Sequence, residues 1–543
     1  MFCGQVIFRS PSRSPSCWNR RISMLYRSDF APQPGNTVSP ARSTNLQTRP
    51  DEVVVTTEEI TDLNFGSPDR NPDQLEGLRV LVVGLGRHGG GTELVRFLAD
   101  RGAVVSITDP ADHDQLQSSI DLVADLPLHR VRIGEPHQRQ DLLDCDWVVV
   151  NPAIPPRTSF LEQIAGSPVL AVTELGLTLS WLPRQYLAAV TGTHGKSTTC
   201  QLACEMLRAS GLGAIAGGNL GGSLLSQIDE DPASEMRFIV EVSSFQAERL
   251  DAAADRPSIV AITNFSDDHL DWHGSRKQYL DAKLRLLENP GRGDALAILP
   301  TTGALGRDFH CDSRSVIRCG LDGSIGESRP GPGSLQIVAP GRDELTIPFS
   351  APSPLEGDAG LENSLQAATI AAALGATEEG ISTAIDNYVG LPHRYQEVRE
   401  LQGIRYIDDS KATTPEAVAS AIGRSQSTLH WLCGGQPKSG EIDIRCLLEP
   451  LSGRMCHAYC FGEMADNWQA ALGSAPLSHL EGHRSLAAAL EAAAAKAAAG
   501  EMVLLSPGGS SFDQYSSAEE RGRQFQRLVA EMGPSLPPTA ADR

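Results

Sequence analysis

The stretch AAVTGTHGKSTTCQLA, residues 188–203, has the residue types of a nucleotide-binding loop but not the usual spacing. In the common pattern G-x-x-x-x-G-K-[ST], the first glycine stands five residues before the second. Here the residue five before Gly195 is Val190, and the nearest upstream glycine is Gly192. The spacing fits either a shortened phosphate loop or a surface turn that contains a lysine.

The segments on both sides of this turn favour the phosphate loop. An apolar run precedes the turn and a helical run follows it, so backbone N–H groups at the helix start would point at phosphate oxygens. Lys196 would pair with the β- and γ-phosphates, and Ser197 or Thr198 would reach a Mg²⁺ ion. The sequence therefore predicts a site for nucleotide phosphates and a metal.

Acidic residues that follow the next two predicted strands are candidate metal ligands. Glu241 lies inside the hydrophobic run RFIVEVS, where a carboxylate is costly unless it is paired or bound to a metal. Mg²⁺ near the phosphate loop would explain it, and an ion pair with a neighbour is the alternative. The segment TNFSDDHLDWHG adds five candidates: Asp267, Asp268, His269, Asp271 and His273. Oxygen ligands suit Mg²⁺ and one histidine can complete such a site, which favours His269 at the strand end.

Polar loops in the last third of the chain follow predicted strands in the same way. Arg394 comes after a proline turn in LPHRYQEV and could clamp a phosphate. Asp409 and Thr413 lie at the end of the strand-like run IRYIDDS and just beyond it, before a helix that Thr414 caps. Two glycine loops, CGGQPKSGEID and LLSPGGSSFDQY, bring Lys438 and the Ser510–Ser511 pair, which could bind a small carboxylate.

The run LRVLVVGLGRHGGGTELVRFLADRGAVVSITDP predicts strand, glycine turn, helix and strand. Gly84, Gly86 and Gly89 form G-x-G-x-x-G, and Asp109 ends the second strand 20 residues after Gly89. This is the layout of a dinucleotide-binding fold. The alternative is a β-α-β unit whose tight turn binds no ligand.

Alternating strands and helices predict an α/β protein with parallel sheets. We expect a basic, disordered extension over 1–75, a Rossmann-like domain over 76–183, a central P-loop-type domain over 184–390 and a second Rossmann-like domain over 391–535. A linker, WLPRQ, stands before the central domain, and a helix over Asn363–Leu374 closes it.

Composition excludes several classes of protein. The net charge of −21 argues against binding along a nucleic-acid backbone, and no apolar run reaches 18 residues, which argues against a membrane span. The 11 scattered cysteines, among them the pair in CHAYC, predict buried thiols rather than a metal site and a reducing, cytoplasmic setting. The first 50 residues hold seven arginines and one acid, which indicates disorder, a transit peptide or a start at Met24.

With these residues in view, the chain resembles the Mur ligase family over about residues 78–528. TGTHGKSTT is similar to that family's shortened ATP loop, and EVSSFQ, LPHRY, DDSKAT and SPGGSSFDQY resemble the branch that adds D-glutamate. The resemblance implies that ATP phosphorylates the carboxylate of UDP-N-acetylmuramoyl-L-alanine. The amine of D-glutamate would then attack the acyl phosphate to form an amide. A monomer that needs ATP and Mg²⁺ is expected.

The resemblance also implies residue roles, which we carry over position by position. Catalysis would involve Lys196, His269 and Lys283. ATP would be bound by Gly192, Thr193, His194, Gly195, Lys196, Ser197, Thr198, Asn363, Arg394 and Asp409. Metal would be bound by Ser197, Glu241, His269 and Lys283. The UDP-sugar would be bound by Gly84, Gly86, Gly89, Asp109 and Asn219. D-Glutamate would be bound by Thr413, Lys438 and Ser511.

Lys283 receives its role from the resemblance alone. From the helical run YLDAKLRLLE we would predict a solvated helix lysine, whereas the matching family lysine is carbamylated and ligates Mg²⁺. The chain departs from the family pattern at a few positions: His194, Glu362, Gln366, Ala518 and the turn NPAIPP. Two alternatives stay open, namely another Mur-type or folylpolyglutamate-type ligase and a nucleotide-binding scaffold without activity.

Overall fold

The computed structural model describes residues 65–66, 72–86, 90–156, 158–220, 223–225, 235–251, 257–288, 295–350, 353–425, 427–436 and 442–533. The predicted disordered extension over 1–75 lies almost wholly outside these residues. Gly89 and Lys438 lie outside them as well. None of the described helices is long and apolar enough to cross a membrane.

The first sheet has five parallel strands in the order β3-β2-β1-β4-β5. The predicted strand at residues 79–83 is confirmed, and Asp109 ends the second strand as expected. The elements are β1 Arg79–Val83, α1 Gly90–Asp100, β2 Val104–Asp109, α2 His113–Asp121, β3 Arg130–Ile133, β4 Trp147–Val150, α3 Ser159–Ala165, β5 Leu170–Val172 and α4 Glu174–Trp181.

The second sheet has six parallel strands in the order β11-β10-β9-β6-β8-β7. Strand β6 is buried at every position and lies at the centre, so the turn after it leaves from the middle of the sheet's carboxyl edge. The elements are β6 Leu187–Thr191, α5 Lys196–Ala209, β7 Ala214–Gly218, β8 Arg237–Glu241, α6 Ser244–Glu248, β9 Ile259–Ile262, α7 Leu270–His273, α8 Arg276–Leu284, β10 Leu296–Pro300 and β11 Ser315–Cys319.

A small antiparallel sheet and two helices complete this region. The glycine- and proline-rich sequence with short apolar runs predicts small strands there, and one of the two helices, α9, is the predicted closing helix. The elements are β12 Arg329–Gly331, β13 Ser334–Ile337, β14 Leu345–Pro348, α9 Gly357–Ala373 and α10 Glu378–Asp386. Helix α9 begins six residues before the expected Asn363. Gly360 lies within this helix. A side chain at this position would collide with the Leu355 backbone, so only glycine fits there.

The third sheet has six strands in the order β15-β16-β20-β17-β18-β19, all parallel except β15. Thr414 caps α11 and Pro415 is its first residue, both as predicted. The elements are β15 Gln396–Leu401, β16 Ile404–Asp408, α11 Pro415–Gly423, β17 Leu429–Gly434, α12 Arg445–Leu451, β18 Cys456–Phe461, α13 Ala465–Leu472, β19 His479–His483, α14 Leu486–Lys496, β20 Met502–Gly508 and α15 Ala518–Glu531.

In the described ranges, six short 3-10 helices flank or connect these elements. They are Pro72–Leu75, Arg139–Leu142, Arg184–Tyr186, Arg285–Leu287, Gly303–Leu305 and Ser353–Leu355. Each of the three parallel sheets lies within one of the predicted domain ranges, and the domain bounds themselves stay predictions.

A buried arginine joins two loops at the carboxyl edge of the third sheet. Arg521 of α15 is fully buried, and its guanidinium donates to the Ser410 hydroxyl at 3.0 Å and carbonyl at 2.9 Å and to the Gly509 carbonyl at 3.1 Å. Burial lowers the pKa of Arg521 to about 10. The charge is tolerated because polar oxygens surround it.

We predict that Arg521→Met lowers the free energy of unfolding by about 2–4 kcal/mol, because two buried carbonyls lose their donors. Denaturant unfolding measures the change. Arg523→Met on the exposed face of the same helix is the matched control and should change little. Equal effects of the two substitutions would contradict this account.

Candidate active site

The turn between β6 and α5 is a compact loop in which two glycines are required. Gly192 has φ +149° and Gly195 has φ +79°, conformations that side chains rarely adopt. A Cβ at Gly192 would collide with the Thr263 hydroxyl, and one at Gly195 with the Asn363 amide oxygen. The short spacing is therefore a built feature of the chain rather than a chance turn.

The end of β9 holds this loop in place. The Thr193 amide donates to the Asn264 carbonyl at 3.2 Å, and the His194 amide donates to the Asn264 side chain at 2.9 Å. The Thr263 hydroxyl donates to the His194 carbonyl at 2.6 Å. Gln366, one of the departures from the family pattern, donates to the Thr263 carbonyl at 2.9 Å, so helix α9 braces the strand end that braces the loop.

Two lysines converge on one carbonyl oxygen of the loop. Lys196 Nζ donates to the carbonyls of Gly192 and Thr193, both at 3.0 Å, and Lys283 Nζ donates to the Gly192 carbonyl at 2.9 Å. Lys283 is 1% exposed and its Nζ lies 4.3 Å from the centre of the Tyr279 ring. The prediction of a solvated helix lysine, made from the sequence of α8, is wrong because α8 turns this side chain into the protein.

Burial and the positive charge of Lys196 lower the pKa of Lys283 to about 6. Burial also lowers the pKa of Lys196, while the nearby Glu241 carboxylate opposes that change. Because Lys283 loses its proton below neutral pH, the side chain is an uncharged amine near pH 7. An uncharged amine is a nucleophile, which a solvated lysine at this pH is not.

Glu241 at the end of β8 is a buried carboxylate with one oxygen unsatisfied. Its Oε1 accepts a hydrogen bond from the Asn219 side chain at 2.8 Å, and its Oε2 has no hydrogen-bond partner in the described chain. The alternative of an ion pair does not hold among the described residues. Glu241 and Ser197 line the same cleft, so a Mg²⁺ ion would find a carboxylate and a hydroxyl oxygen there.

His269 lies against the same tyrosine as Lys283, with the ring centres of His269 and Tyr279 6.1 Å apart. It adopts φ +52° at the start of α7, and its Nε2 lies 3.3 Å from Asp268 Oδ2. His269 is not among the described residues that line the cleft, and its metal role stays a prediction. His273 is buried and contacts the Ser244 hydroxyl at 3.0 Å, and the Asp271 side chain lies outside the described part. Across the described residues, no three His, Cys, Asp or Glu side chains are grouped closely enough to hold a metal.

One cleft brings together most residues that the sequence assigns to ATP. Asp409 lies in its wall, where burial raises the carboxyl pKa to about 6 and the side chain accepts from the Tyr395 amide at 3.0 Å and the Ser506 hydroxyl at 2.9 Å. The residues assigned to ATP that line the cleft are Thr193, His194, Gly195, Lys196, Ser197, Thr198, Asn363, Arg394 and Asp409. Asn219, assigned to the UDP-sugar, and Glu241, assigned to the metal, line it as well.

Comparisons with known proteins show the family of this chain. The Mur ligase middle domain matches residues 190–371. The UDP-N-acetylmuramoylalanine–D-glutamate ligase of Desulfosudis oleivorans is 35% identical over 85% of this chain and 98% of its own length. This chain belongs to the Mur ligase family. The corresponding ligase of Desulfatibacillum aliphaticivorans is 32% identical over 84% of the chain and 98% of its own length.

A solved Mur ligase supports the shared fold. The crystal structure of UDP-N-acetylmuramate–alanine ligase from Thermotoga maritima aligns with a TM-score of 0.52 and 16% identity, covering 84% of this chain and all of that one. At this identity the likeness concerns the fold alone.

Three residues predicted to bind the UDP-sugar, Gly84, Gly86 and Asp109, shape the turn that follows β1 in this Mur ligase. Gly84 and Gly86 both have positive φ, and the Gly86 amide donates to Asp109 Oδ2 at 3.1 Å. Asn151, from the departing turn NPAIPP, donates to the Gly84 carbonyl at 3.1 Å. Asn219 lies instead beside Glu241 in the ATP cleft, so its contact with the UDP-sugar remains a prediction.

Two of the predicted D-glutamate residues, Thr413 and Ser511, follow strands at the carboxyl edge of the third sheet, and Lys438 lies outside the described residues. Ser511 is buried and Thr413 is half-buried, and neither is among the described residues that line the ATP cleft. The backbones of Gln436 and Ser510 exchange two hydrogen bonds, which joins the two glycine loops. The Ser410 hydroxyl donates a hydrogen bond to the Ala518 carbonyl at 2.7 Å. Ala518, which departs from the family pattern, therefore contributes through its backbone.

Sequence reasoning missed several side chains of the cleft. Asn264 ends the predicted strand SIVAITN, and its place at a strand's carboxyl end was an available signal. Tyr388, Tyr395 and Arg424 also line the cleft. Tyr388 and Arg424 lie near helix ends, with no local pattern that marks them as functional.

We predict that Gly192→Ala weakens binding of ADP by about tenfold to a hundredfold. The substitution forces about 1–3 kcal/mol of backbone strain and a collision with Thr263 into the loop. Calorimetric titration with ADP measures the affinity. Gly423→Ala, where the added Cβ meets nothing, is the matched control. Unchanged ADP affinity in Gly192→Ala would show that the loop geometry does not determine binding.

Proposed function

We propose that this chain is an ATP-dependent ligase that joins D-glutamate to UDP-N-acetylmuramoyl-L-alanine in cytoplasmic peptidoglycan precursor synthesis. The observation that carries the proposal is a glycine loop on which Lys196 and Lys283 converge. The same cleft contains Glu241, whose Oε2 has no hydrogen-bond partner among the described residues. The names of the relatives support the same substrates. A monomer and the cytoplasmic location remain predictions.

The proposed reaction has two steps. A carboxylate oxygen of UDP-N-acetylmuramoyl-L-alanine attacks the γ-phosphorus of ATP, and ADP leaves. The amine of D-glutamate then attacks the acyl carbon, loses a proton, and inorganic phosphate leaves as the amide forms. Both steps concentrate negative charge, which positive groups in a site with little water stabilise strongly.

Lys196 and the start of α5 would bind the transferred phosphoryl group. In the structure Lys196 donates to two loop carbonyls, so it must exchange these for phosphate oxygens when ATP binds. Arg394 lines the same cleft, is exposed, and lies close enough to Lys196 to lower its pKa. It would contact phosphate oxygens from the opposite side of the cleft.

Glu241 and Ser197 fit a Mg²⁺ ion, which when bound supplies positive charge to the phosphates. His269 and a carbamylated Lys283 are proposed as further ligands. The uncharged amine of Lys283 would attack CO₂, forming a C–N bond and releasing one proton, and the resulting carbamate carries the oxygens that Mg²⁺ prefers. Gly84, Gly86 and Asp109 are proposed to hold the UDP-sugar, and Thr413 and Ser511 the D-glutamate.

A screen of amino acids tests the substrate. With ATP and UDP-N-acetylmuramoyl-L-alanine present, we expect phosphate release with D-glutamate and not with L-alanine, diaminopimelate or L-glutamate. Lys196→Ala should lower the rate by at least about a hundredfold. Lys277→Ala, at an exposed lysine paired with Asp281, is the control and should keep activity. Release with another amino acid only would favour the alternative of a different Mur-type or folylpolyglutamate-type ligase.

Carbamylation of Lys283 has its own test. In ¹³C-labelled bicarbonate at about pH 7.5, NMR should show one carbamate carbon signal that is absent from Lys283→Met and present in Lys277→Met. Because protonation of the amine blocks attack on CO₂, the unmodified lysine should fail to form the carbamate below its pKa of about 6. A carbamate signal that survives in Lys283→Met would overturn the assignment.

A further inference from the structure

A buried arginine joins the region of the second sheet to a turn of the first. Arg249 directly follows α6 and is 4% exposed. Its Nη1 donates to the Asn151 carbonyl at 2.7 Å, and its Nη2 donates to the Ile154 carbonyl. Both carbonyls belong to the turn NPAIPP that follows β4. The scheme above gives Arg249 no role, although a buried guanidinium is costly unless its hydrogen bonds are satisfied.

Arg249 keeps its charge in this buried place. Burial lowers its pKa to about 10, while the Glu248 carboxylate opposes the change. The guanidinium is therefore charged near neutral pH, and its hydrogen bonds to the two carbonyls are charge-assisted. Its central carbon also lies 5.9 Å from the centre of the Trp272 ring. A planar group with fixed donors thus holds the turn in one position relative to α6.

The turn that Arg249 holds supports the Gly84 turn, which is part of the proposed UDP-sugar site. The Asn151 side chain donates to the Gly84 carbonyl at 3.1 Å and accepts from the Ala153 amide at 2.9 Å. A Cβ at Gly84 would lie 2.9 Å from the Asn151 Cβ, so the two turns are in close contact. A displacement of Asn151 would therefore displace Gly84 as well.

At its other end, α6 is fixed to the ATP cleft. Strand β8 ends at the proposed metal ligand Glu241, and Ser243 caps the start of α6. The Val242 amide between them donates to the Val190 carbonyl at 2.9 Å, in the strand β6 that leads to the phosphate loop. One short helix therefore connects the metal side of the ATP cleft with Arg249 and, through it, with the first sheet.

We propose that Arg249 is a positioning residue, which sets the distance between the UDP-sugar turn and the ATP cleft. In the proposed reaction a carboxylate of the UDP-sugar substrate attacks the γ-phosphorus of ATP, and different sheets hold the two substrates. Reacting atoms must come within about 3–3.5 Å, and a displacement of about 1 Å can cost about a hundredfold in rate. The inference rests on the proposed function, because it concerns the alignment of the same two substrates.

Rates and binary affinities of Arg249→Met test the proposal. We expect kcat for phosphate release with D-glutamate to fall about tenfold to a hundredfold, because the carboxylate and the γ-phosphate are misaligned. The Kd values for ADP alone and for UDP-N-acetylmuramoyl-L-alanine alone, measured by calorimetry, should change less than about threefold, because each site keeps its own contacts. The stoichiometry of ADP binding gives the folded fraction, by which kcat is normalised.

Two results for Arg249→Met would overturn the proposal. One is an unchanged kcat. The other is a raised Kd for UDP-N-acetylmuramoyl-L-alanine that accounts for the whole loss of kcat/KM, which would confine Arg249 to the UDP-sugar site.

Arg314→Met is the matched control. Arg314 is also buried, and its guanidinium donates to the carbonyls of Leu287, Pro257 and Ser258 in the region of the second sheet. Both variants remove a buried cation from carbonyl oxygens, so both should lower the thermal unfolding midpoint. The normalised kcat of Arg314→Met should stay within about twofold of wild type. An equal fall of kcat in both variants would identify lost stability as the cause and overturn the proposal.

Two further variants test whether Arg249 acts through the Asn151 turn. Arg249→Lys keeps the charge without the planar group, so its kcat should lie between those of Arg249→Met and wild type. Asn151→Ala removes the link to Gly84, so the double variant with Arg249→Met should lose less than the product of the two single effects. Effects that multiply independently would overturn this route. Absence of phosphate release by wild type with D-glutamate would instead contradict the proposed function.

Discussion

The cleft depends on two lysines, the half-buried Lys196 and the buried Lys283, that share the Gly192 carbonyl oxygen. Two ammonium groups in one poorly hydrated place repel each other, so the protein must remove a proton, supply an anion, or both. Here the Lys283 pKa falls to about 6 and Glu241 lies close enough to favour the charge on Lys196. The neutral amine of Lys283 and the carboxylate of Glu241 both reduce the repulsion between the two lysines. The same arrangement prepares the site for a ligand rich in negative charge.

The lysines can only converge because the loop carbonyl is fixed. Gly192 and Gly195 adopt positive φ angles that residues with side chains rarely adopt. Both also pack against side chains that leave no space for a Cβ atom. Thr263 and Asn264 bind the loop from the neighbouring strand end, and Gln366 binds Thr263 from α9. Three elements that are distant in sequence, the loop, the end of β9 and α9, thus fix the position of the Gly192 carbonyl oxygen. Rigid positioning of this kind lets a loop bind a transferring phosphoryl group without reorganising first.

The sequence predicted the central strands and missed five of the six outer ones, the exception being β11. In the three large sheets, the strands that the sequence did not identify are β3, β5, β7, β15 and β19. Each of them lies at an edge of its sheet. Central strands are covered on both faces and read as continuous apolar runs. Edge strands such as His479–His483 are partly exposed and carry polar residues, so their sequence resembles a loop.

The same limit explains which site residues could be predicted. Glycines, Lys196 and Glu241 stand at strand ends, where position alone indicates function. Lys283 lies within a helix whose pattern does not say which face meets the phosphate loop, and the resemblance to a family was needed to single it out. Tyr388 has no such pattern, because its place in the wall of the cleft follows from the packing of elements that are distant in sequence.

Charge balance links the proposed carbamate to metal binding. With Lys283 neutral, Lys196 and Glu241 cancel, and the loop presents no net charge to a cation. Conversion of the neutral amine to a carbamate would add one negative charge, which the positive charge of Lys196 attracts. A Mg²⁺ ion would then meet two anionic groups instead of one. In the proposed scheme, the low pKa of Lys283 is the physical condition that would allow this side chain to change from a competitor of the metal into its ligand.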